Sequence, residues 1–380
     1  MKIVIFTLFI LYPDNLLSYS WNNSKASSLV DEAINELYNY KFDNSISLLD
    51  RAWLIDNEHP VIPFLQITSK WLKSQTEEGY MSSYLTILSE IEHTVPIYKR
   101  LIKKYPNDPE YVLYLGSTYG MNARIALANK EWLSALLSGY SGLKYIRKAE
   151  KMDKNLHDVY MPIGFMEYFV CTFPRSIRYG SKLFGLNGNC NSGIDNLQLA
   201  IDKSYYSWIE ASNVLTYILL YIEKDFYRAE DIISPLLEQY PDHPLFPFLI
   251  GEIYIKTSKW SKLEELMPNL DYLSKNGPYY QKNECRLKYY YLRALKAFYN
   301  KKYKNCIYYS DFVINTYNME FDWLLYFCYL LRGKSNDILN KRQLAIADYK
   351  KVLNIGSHYP EYKEAKLLLN VPYKENNDPF

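Results

Sequence analysis

Two stretches of this chain repeat one another without a gap. "LIKKYPNDPEYVLYLGSTYG" begins at Leu101 and "LLEQYPDHPLFPFLIGEIYI" begins at Leu236. Leu101, Tyr105, Pro106, Pro109, Gly116 and Tyr119 align with Leu236, Tyr240, Pro241, Pro244, Gly251 and Tyr254. A third, partial copy, "HPVIPFLQ" from His59, matches "HPLFPFLI" from His243. A chain that repeats itself in this way stacks units of one kind, because no unit alone can bury its apolar face. Length is a looser bound: 380 residues allow two or three domains or one elongated array.

The repeated units read as helices. In "FYRAEDIISPLLEQYP", Phe226, Ala229, Ile233, Leu236 and Tyr240 fall three or four apart, which makes one apolar stripe. Tyr240 should end that helix, since the residue before a proline is pushed out of helical geometry. Asp242 and Pro244 then open the next, with an acid near its positive end. Alternating apolar and polar runs bounded by turns are absent, so the expected class is all-α.

The two full copies lie 135 residues apart, close to four units of about 34. With these residues, the spacing resembles the tetratricopeptide repeat, a helix–turn–helix unit. The resemblance implies an α-α superhelical solenoid. It gives Gly116, Tyr119, Ala229, Pro241, Gly251 and Tyr254 structural repeat positions, with Ser45 and Ala52 as a further small pair. Residues 21–158 and 206–380 then hold two sets of repeats. Residues 159–205 form a helical segment with a glycine-rich bend. From about Tyr160 to Tyr254 a second likeness appears, carried by Gly164, Tyr168, Pro174, Phe184, Gly188, Gly193 and Ile194. It is similar to the inclusion-body-clearance branch of these proteins, the repeat protein 39 family, and to exported bacterial relatives. It implies a scaffold and carries no catalytic residues.

The bend, "YGSKLFGLNGNCNSG" at Tyr179 to Gly193, is the one place where a phosphate loop is conceivable. Gly180 and Gly185 have the GxxxxG spacing, but Leu186 and Asn187 stand where Lys and Ser or Thr must reach phosphate and magnesium. Gly185, Gly188 and Gly193 miss the dinucleotide spacing, and no strand precedes them. A joint between helices is expected, with Gly188 or Gly193 at positive φ.

The first twenty residues read as a secretory signal peptide. Lys2 precedes the uncharged apolar run Ile3 to Tyr12, and Ser18 and Ser20 are the small residues before a cut at Trp21. The competing reading is a buried first helix. The run is shorter than a membrane span, and no cysteine follows it to carry a lipid. No later stretch is long and apolar enough to span, so no transmembrane segment is expected in the mature chain. Periplasm or cell envelope is the expected address. The five cysteines, Cys171, Cys190, Cys285, Cys306 and Cys328, are odd in number and lack CxxC spacing, which makes a disulfide framework weak and small apolar packing the commoner role; Cys171 with Cys190 is the first pair to test, because only a short loop region separates them.

Charge is near balance, 44 basic against 42 acidic residues, which leaves no footprint for a nucleic-acid partner. The five histidines lack zinc spacing, and His59 and His243 repeat one another before a proline, which fits a turn role. "SGYSG" at Ser138 misses the nucleophile-elbow spacing by one residue. No catalytic, cofactor-binding or metal-binding residue is therefore assigned, and an enzyme is not expected. Tyrosine is abundant, 40 copies, and suits half-buried faces and binding grooves. Tyr289, Tyr290, Tyr291, Tyr308 and Tyr309 are split by the 100° helical step between core packing and a groove. Which tyrosines line a groove is not assigned. The functional expectation is an exported scaffold for a peptide or protein partner; the alternative is a periplasmic or outer-membrane carbohydrate or small-ligand binder that stacks glycans on tyrosine.

Overall fold

The computed structural model describes residues 24–129, 131–173, 178, 188–355 and 359–375. The first twenty residues, read above as a signal peptide, and most of the glycine-rich bend lie outside them. Among the described residues the regular structure is helical, with seventeen α-helices and no strand. They pair as antiparallel hairpins: α1 (Ser24–Tyr38) with α2 (Phe42–Ile55), α3 (Ile62–Glu77) with α4 (Tyr80–Lys104), α5 (Pro109–Ala128) with α6 (Trp132–Met152), and α7 (Tyr160–Thr172) with α8 (Cys190–Lys203). Then follow α9 (Trp208–Ile218) with α10 (Phe226–Gln239), α11 (Phe246–Lys256) with α12 (Trp260–Lys275), α13 (Tyr279–Tyr299) with α14 (Tyr303–Thr316), and α15 (Trp323–Ile338) with α16 (Arg342–Val352). A last helix, α17 (Pro360–Leu368), packs on α15 and α16. The fold is an all-α helical-hairpin solenoid.

The hairpin turns share one conformation that the sequence does not advertise. Tyr40, Lys224, Ser258, Lys301 and Asn340 sit at φ between 56° and 59°, one in each turn of five hairpins. In each turn the next residue's N–H reaches back to a carbonyl of the first helix, as in Lys259 to Tyr254 at 2.8 Å and Lys341 to Asn336 at 2.8 Å. This satisfies carbonyls that the helix end leaves bare. Glycine is the usual residue there, so these side chains carry left-handed strain.

Within hairpins, helices approach closely where small residues face each other. A Cβ added to Gly142 would meet the Gly116 carbonyl oxygen at 2.6 Å and the Gly120 nitrogen at 2.9 Å. The α7–α8 pair repeats the device: a Cβ on Gly164 would lie 2.7 Å from the Gly193 oxygen. This corrects the expected role of the bend glycines. Neither Gly188 nor Gly193 has positive φ; among the described residues the positive-φ glycines are Gly79 and Gly277. Gly193 lies inside α8, and a Cβ there would strike the Tyr168 nitrogen at 2.7 Å. A Cβ on Gly188 would strike the Cys171 nitrogen at 2.4 Å. Both positions need the absence of a side chain, not an unusual backbone. Cys171 and Cys190 are joined by a disulfide across this hairpin, and Cys285, Cys306 and Cys328 are free and buried.

Odd-numbered helices of successive hairpins pack side by side, from α9 through α11, α13 and α15 to α17, whereas even-numbered helices scarcely touch one another. The array therefore curves with its odd-numbered helices inside. Apolar residues of α9 to α16, including Leu215, Ile233, Phe248, Leu292 and Tyr349, form one continuous core.

Gly142→Ala is expected to destabilise the chain by about 1–3 kcal/mol, because backbone atoms cannot yield to the new methyl. Ser258→Gly should stabilise it by up to about 1 kcal/mol, through relief of left-handed strain. Urea denaturation followed by circular dichroism checks both.

Candidate binding site on the inner layer

The inner layer is where stacked hairpins offer a continuous surface, and in this chain much of it is filled by the chain itself. Helix α3 packs on α13. Tyr38 donates to Glu210 at 2.9 Å, Tyr80 to Glu284 at 3.1 Å, and Tyr84 to Glu320 at 2.7 Å. Arg124 of α5 closes the seam by pairing with Glu320 while its guanidinium lies 5.1 Å from the Trp71 ring and 5.2 Å from Phe321. Gly79 is required here: a Cβ would meet the Tyr280 ring at 2.7 Å. Tyr38 and Tyr40 also stand against His243, which stacks on Phe246 at 3.7 Å.

Burial shapes the seam's charges. It raises the carboxyls of Glu210 and Glu320 above the ordinary glutamate range. Burial works to raise Glu284, but the Lys288 ammonium at 2.6 Å, the Tyr80 hydroxyl and Arg124 together hold that carboxyl low. His59 is fully buried, and burial lowers its imidazole to about 4. His243 is lowered for the same first reason, and its Nδ1 accepts from the Leu245 N–H at 3.2 Å. Both histidines are neutral parts of inter-hairpin turns.

Beyond the seam, the inner layer stays open at its carboxyl-terminal end. A cleft of about 60 Å³ lies between the start of α10, with Lys224 of the turn before it, and α11, α13, α15 and α17. Three lysines line it, Lys224, Lys256 and Lys334, with three glutamates, Glu252, Glu361 and Glu364. Glu252 is fully buried and takes hydrogen bonds from Tyr221 and Tyr291, each at 2.8 Å, with Lys256 at 3.4 Å. Lys334 pairs with Glu364. Burial raises the Glu361 carboxyl, whose Oε2 is sequestered without a hydrogen bond. Lys224 follows a short π-helix, Leu219–Glu223, and burial lowers its ammonium. Such bulges concentrate at functional sites. The cleft's volume falls below the roughly 300–1,000 Å³ of pockets that engulf a small molecule. Its rings do not offer parallel faces: Tyr291 and Phe327 meet at 40°, and Phe298 and Tyr299 at 67°.

The repeat positions read from sequence fall on these layers. Gly116 and Tyr119 lie on α5, and the Tyr119 ring packs 5.6 Å from Tyr145. Ala229 is fully buried on α10, and the Pro241 carbonyl, just past that helix, accepts from Asn269 at 2.9 Å. Gly251 and Tyr254 lie on α11. A Cβ on Gly251 would find Leu292 at 3.1 Å, so this glycine is less crowded than Gly142. Of the tyrosine clusters only Tyr291 turns to the cleft; Tyr289, Tyr290 and Tyr309 crowd around Arg293 on the outer side, and Tyr308 is exposed. Glu252 was missed from sequence, although its signal is plain: it is the one charge in the apolar run "FPFLIGEIYI".

No family model matches the chain, and no curated protein matches it. Among solved structures, yeast Tom70 aligns with 91% of this chain and 95% of its own at 9% identity and a TM-score of 0.29. The TPR domain of P58(IPK) aligns with 90% of this chain and 98% of its own at 11% identity and a TM-score of 0.25. These superpositions are loose, and the helical-hairpin solenoid rests on the hairpins, turns and small-residue contacts described above.

The seam gives two tests. Arg124→Ala strands the buried Glu320 carboxylate and should cost about 3 kcal/mol, the low end for a broken buried pair because Arg124 is partly exposed. Glu210→Gln keeps an acceptor for Tyr38 and removes a buried charge. A carboxyl raised on folding stabilises only while protonated, and that contribution is lost as pH rises through the folded value. The variant should therefore match the parent in acid and exceed it in stability at neutral pH, read from urea midpoints across pH.

Proposed function

We propose that the chain is a non-enzymatic tetratricopeptide-like scaffold that binds a peptide or protein partner in the cell envelope. The observation that carries this reading is the inner cleft at the carboxyl-terminal end. Five helices converge there with three lysines, three glutamates and aromatic walls, in a space too small to enclose a metabolite. Paired charges of both signs suit hydrogen bonding to an extended chain, and aromatic residues supply the apolar anchors that dominate such interfaces. The seam narrows the site to this end, because the amino-terminal hairpins cover the inner faces of α9 and α13. Two features support the envelope setting: the apolar run behind Lys2, and a disulfide between Cys171 and Cys190, a bond that persists in oxidising compartments.

Affinity capture from envelope extracts tests the binding reading. The parent chain should retain a discrete partner that Lys256→Glu with Lys334→Glu releases; equal retention by both chains would sink the assignment of the cleft. Thiol labelling of protein taken from cells tests the address. Cys171 and Cys190 should resist labelling, and their replacement by serine should lower stability by about 3 kcal/mol. Free thiols at both positions would remove the support for export.

A further inference from the structure

We propose that the outer groove over α13, flanked by α12 and α14, is a binding site for one small oxyanion, the sulfate, phosphate or carboxylate group of a small ligand. The groove has a volume of about 170 Å³, several times the roughly 30 Å³ that a water occupies. Its lining holds three cations, Arg293, Lys296 and Lys302, together with the side-chain amides of Asn300 and Asn305, and no acid. It lies on the face of α13 opposite Tyr291, away from the inner cleft.

Arg293 is the organising group. Its guanidinium donates to the Tyr309 hydroxyl at 2.6 Å and lies 4.3 Å from the Tyr309 ring centroid, with Tyr289 at 5.6 Å and Tyr290 at 5.8 Å. Tyr290 is itself held by a stack on Phe312 at 3.9 Å. Aromatic packing therefore fixes the guanidinium while occupying its face, and leaves in-plane N–H donors for a planar or tetrahedral anion. Two acids stand close by. Asp271 pairs with Lys275 at 2.6 Å and also acts on the Arg293 guanidinium, and Glu264, an exposed residue at the rim, pairs with Lys296. Lys302 is exposed at the α13–α14 turn and forms no ion pair among the described residues. With Lys275 counted beside Asp271, four cations against the Asp271 and Glu264 carboxylates still leave the groove and its rim with a positive excess. A pre-positioned arginine with neighbouring cations and amides is the donor set that oxyanions require, and its rigidity lowers the entropy lost on binding.

Calorimetric titration of the full chain with sulfate, phosphate and glucuronate, against chloride at matched ionic strength, tests the site. Saturable binding of one equivalent of at least one of these anions is expected at millimolar or lower concentration. Arg293→Gln should weaken it by about tenfold or more. Lys302→Gln, on an exposed turn where folding is not at stake, should weaken it several-fold, and Lys350→Gln on the distant α16 should leave it unchanged. Sulfate or phosphate binding identifies a simple oxyanion; glucuronate binding alone identifies a carboxylate on a sugar acid. Heat that never saturates, or that chloride reproduces, overturns the proposal, as does equal affinity in the Lys302→Gln and Arg293→Gln chains. Partner capture by the inner cleft is read separately, so failure of one leaves the other standing.

Discussion

A two-helix hairpin buries one face of each helix and leaves the other wet. Everything in this structure follows from how that second face is covered. From α7 onward, each odd-numbered helix packs on its partner and on the odd-numbered helix of the next hairpin. The close glycine contacts of α5 with α6 and α7 with α8 bring backbones together, so that the next layer of side chains can reach across. Burial of apolar area at about 25 cal/mol per Å² makes this stacking the dominant favourable term. Because contacts run mainly between neighbours, stability is spread along the chain as local interfaces.

The seam departs from that one-dimensional rule. Hairpins that lie far apart in the chain meet through tyrosine hydroxyls on buried carboxylates and through the Arg124–Glu320 pair. Buried charges of this kind contribute less to net stability than to a unique arrangement, since breaking one partner is costly while the intact pair roughly offsets its own desolvation. The seam therefore acts as a register: it specifies which inner surfaces are covered and which remain open. The cleft around Glu252 and Glu361 is the part left over, and the groove around Arg293 belongs to the opposite, outer layer.

Much of the helical grammar was legible in advance. Of the stripe Phe226, Ala229, Ile233, Leu236 and Tyr240, the last four are buried as their spacing implies and Phe226 is half-buried against the core, and Tyr240 is the residue at which α10 ends. The short loop between Cys171 and Cys190 singled out that pair, but sequence left open whether it is oxidised; the bond is a finding of the structure. The role of Gly193 was misread, because scarce glycine in a loop-like stretch invites a backbone explanation, while the cause is the Tyr168 backbone pressed against it from α7. The left-handed turn residues were invisible for the converse reason: Lys301, Ser258 and Lys224 are not residues that announce positive φ.

By itself, then, the sequence determined the secondary structure, the hairpin unit and the approximate repeat, since these depend on periodicity and on residues within about one unit of each other. Only the tertiary structure decided which inner surface is closed. Tyr38 finds Glu210 and Tyr84 finds Glu320 across 172 and 236 residues, respectively. No local pattern encodes such a pairing. It arises from the accumulated rotation of many hairpins, each contributing a small angle that is set by the packing of its own side chains.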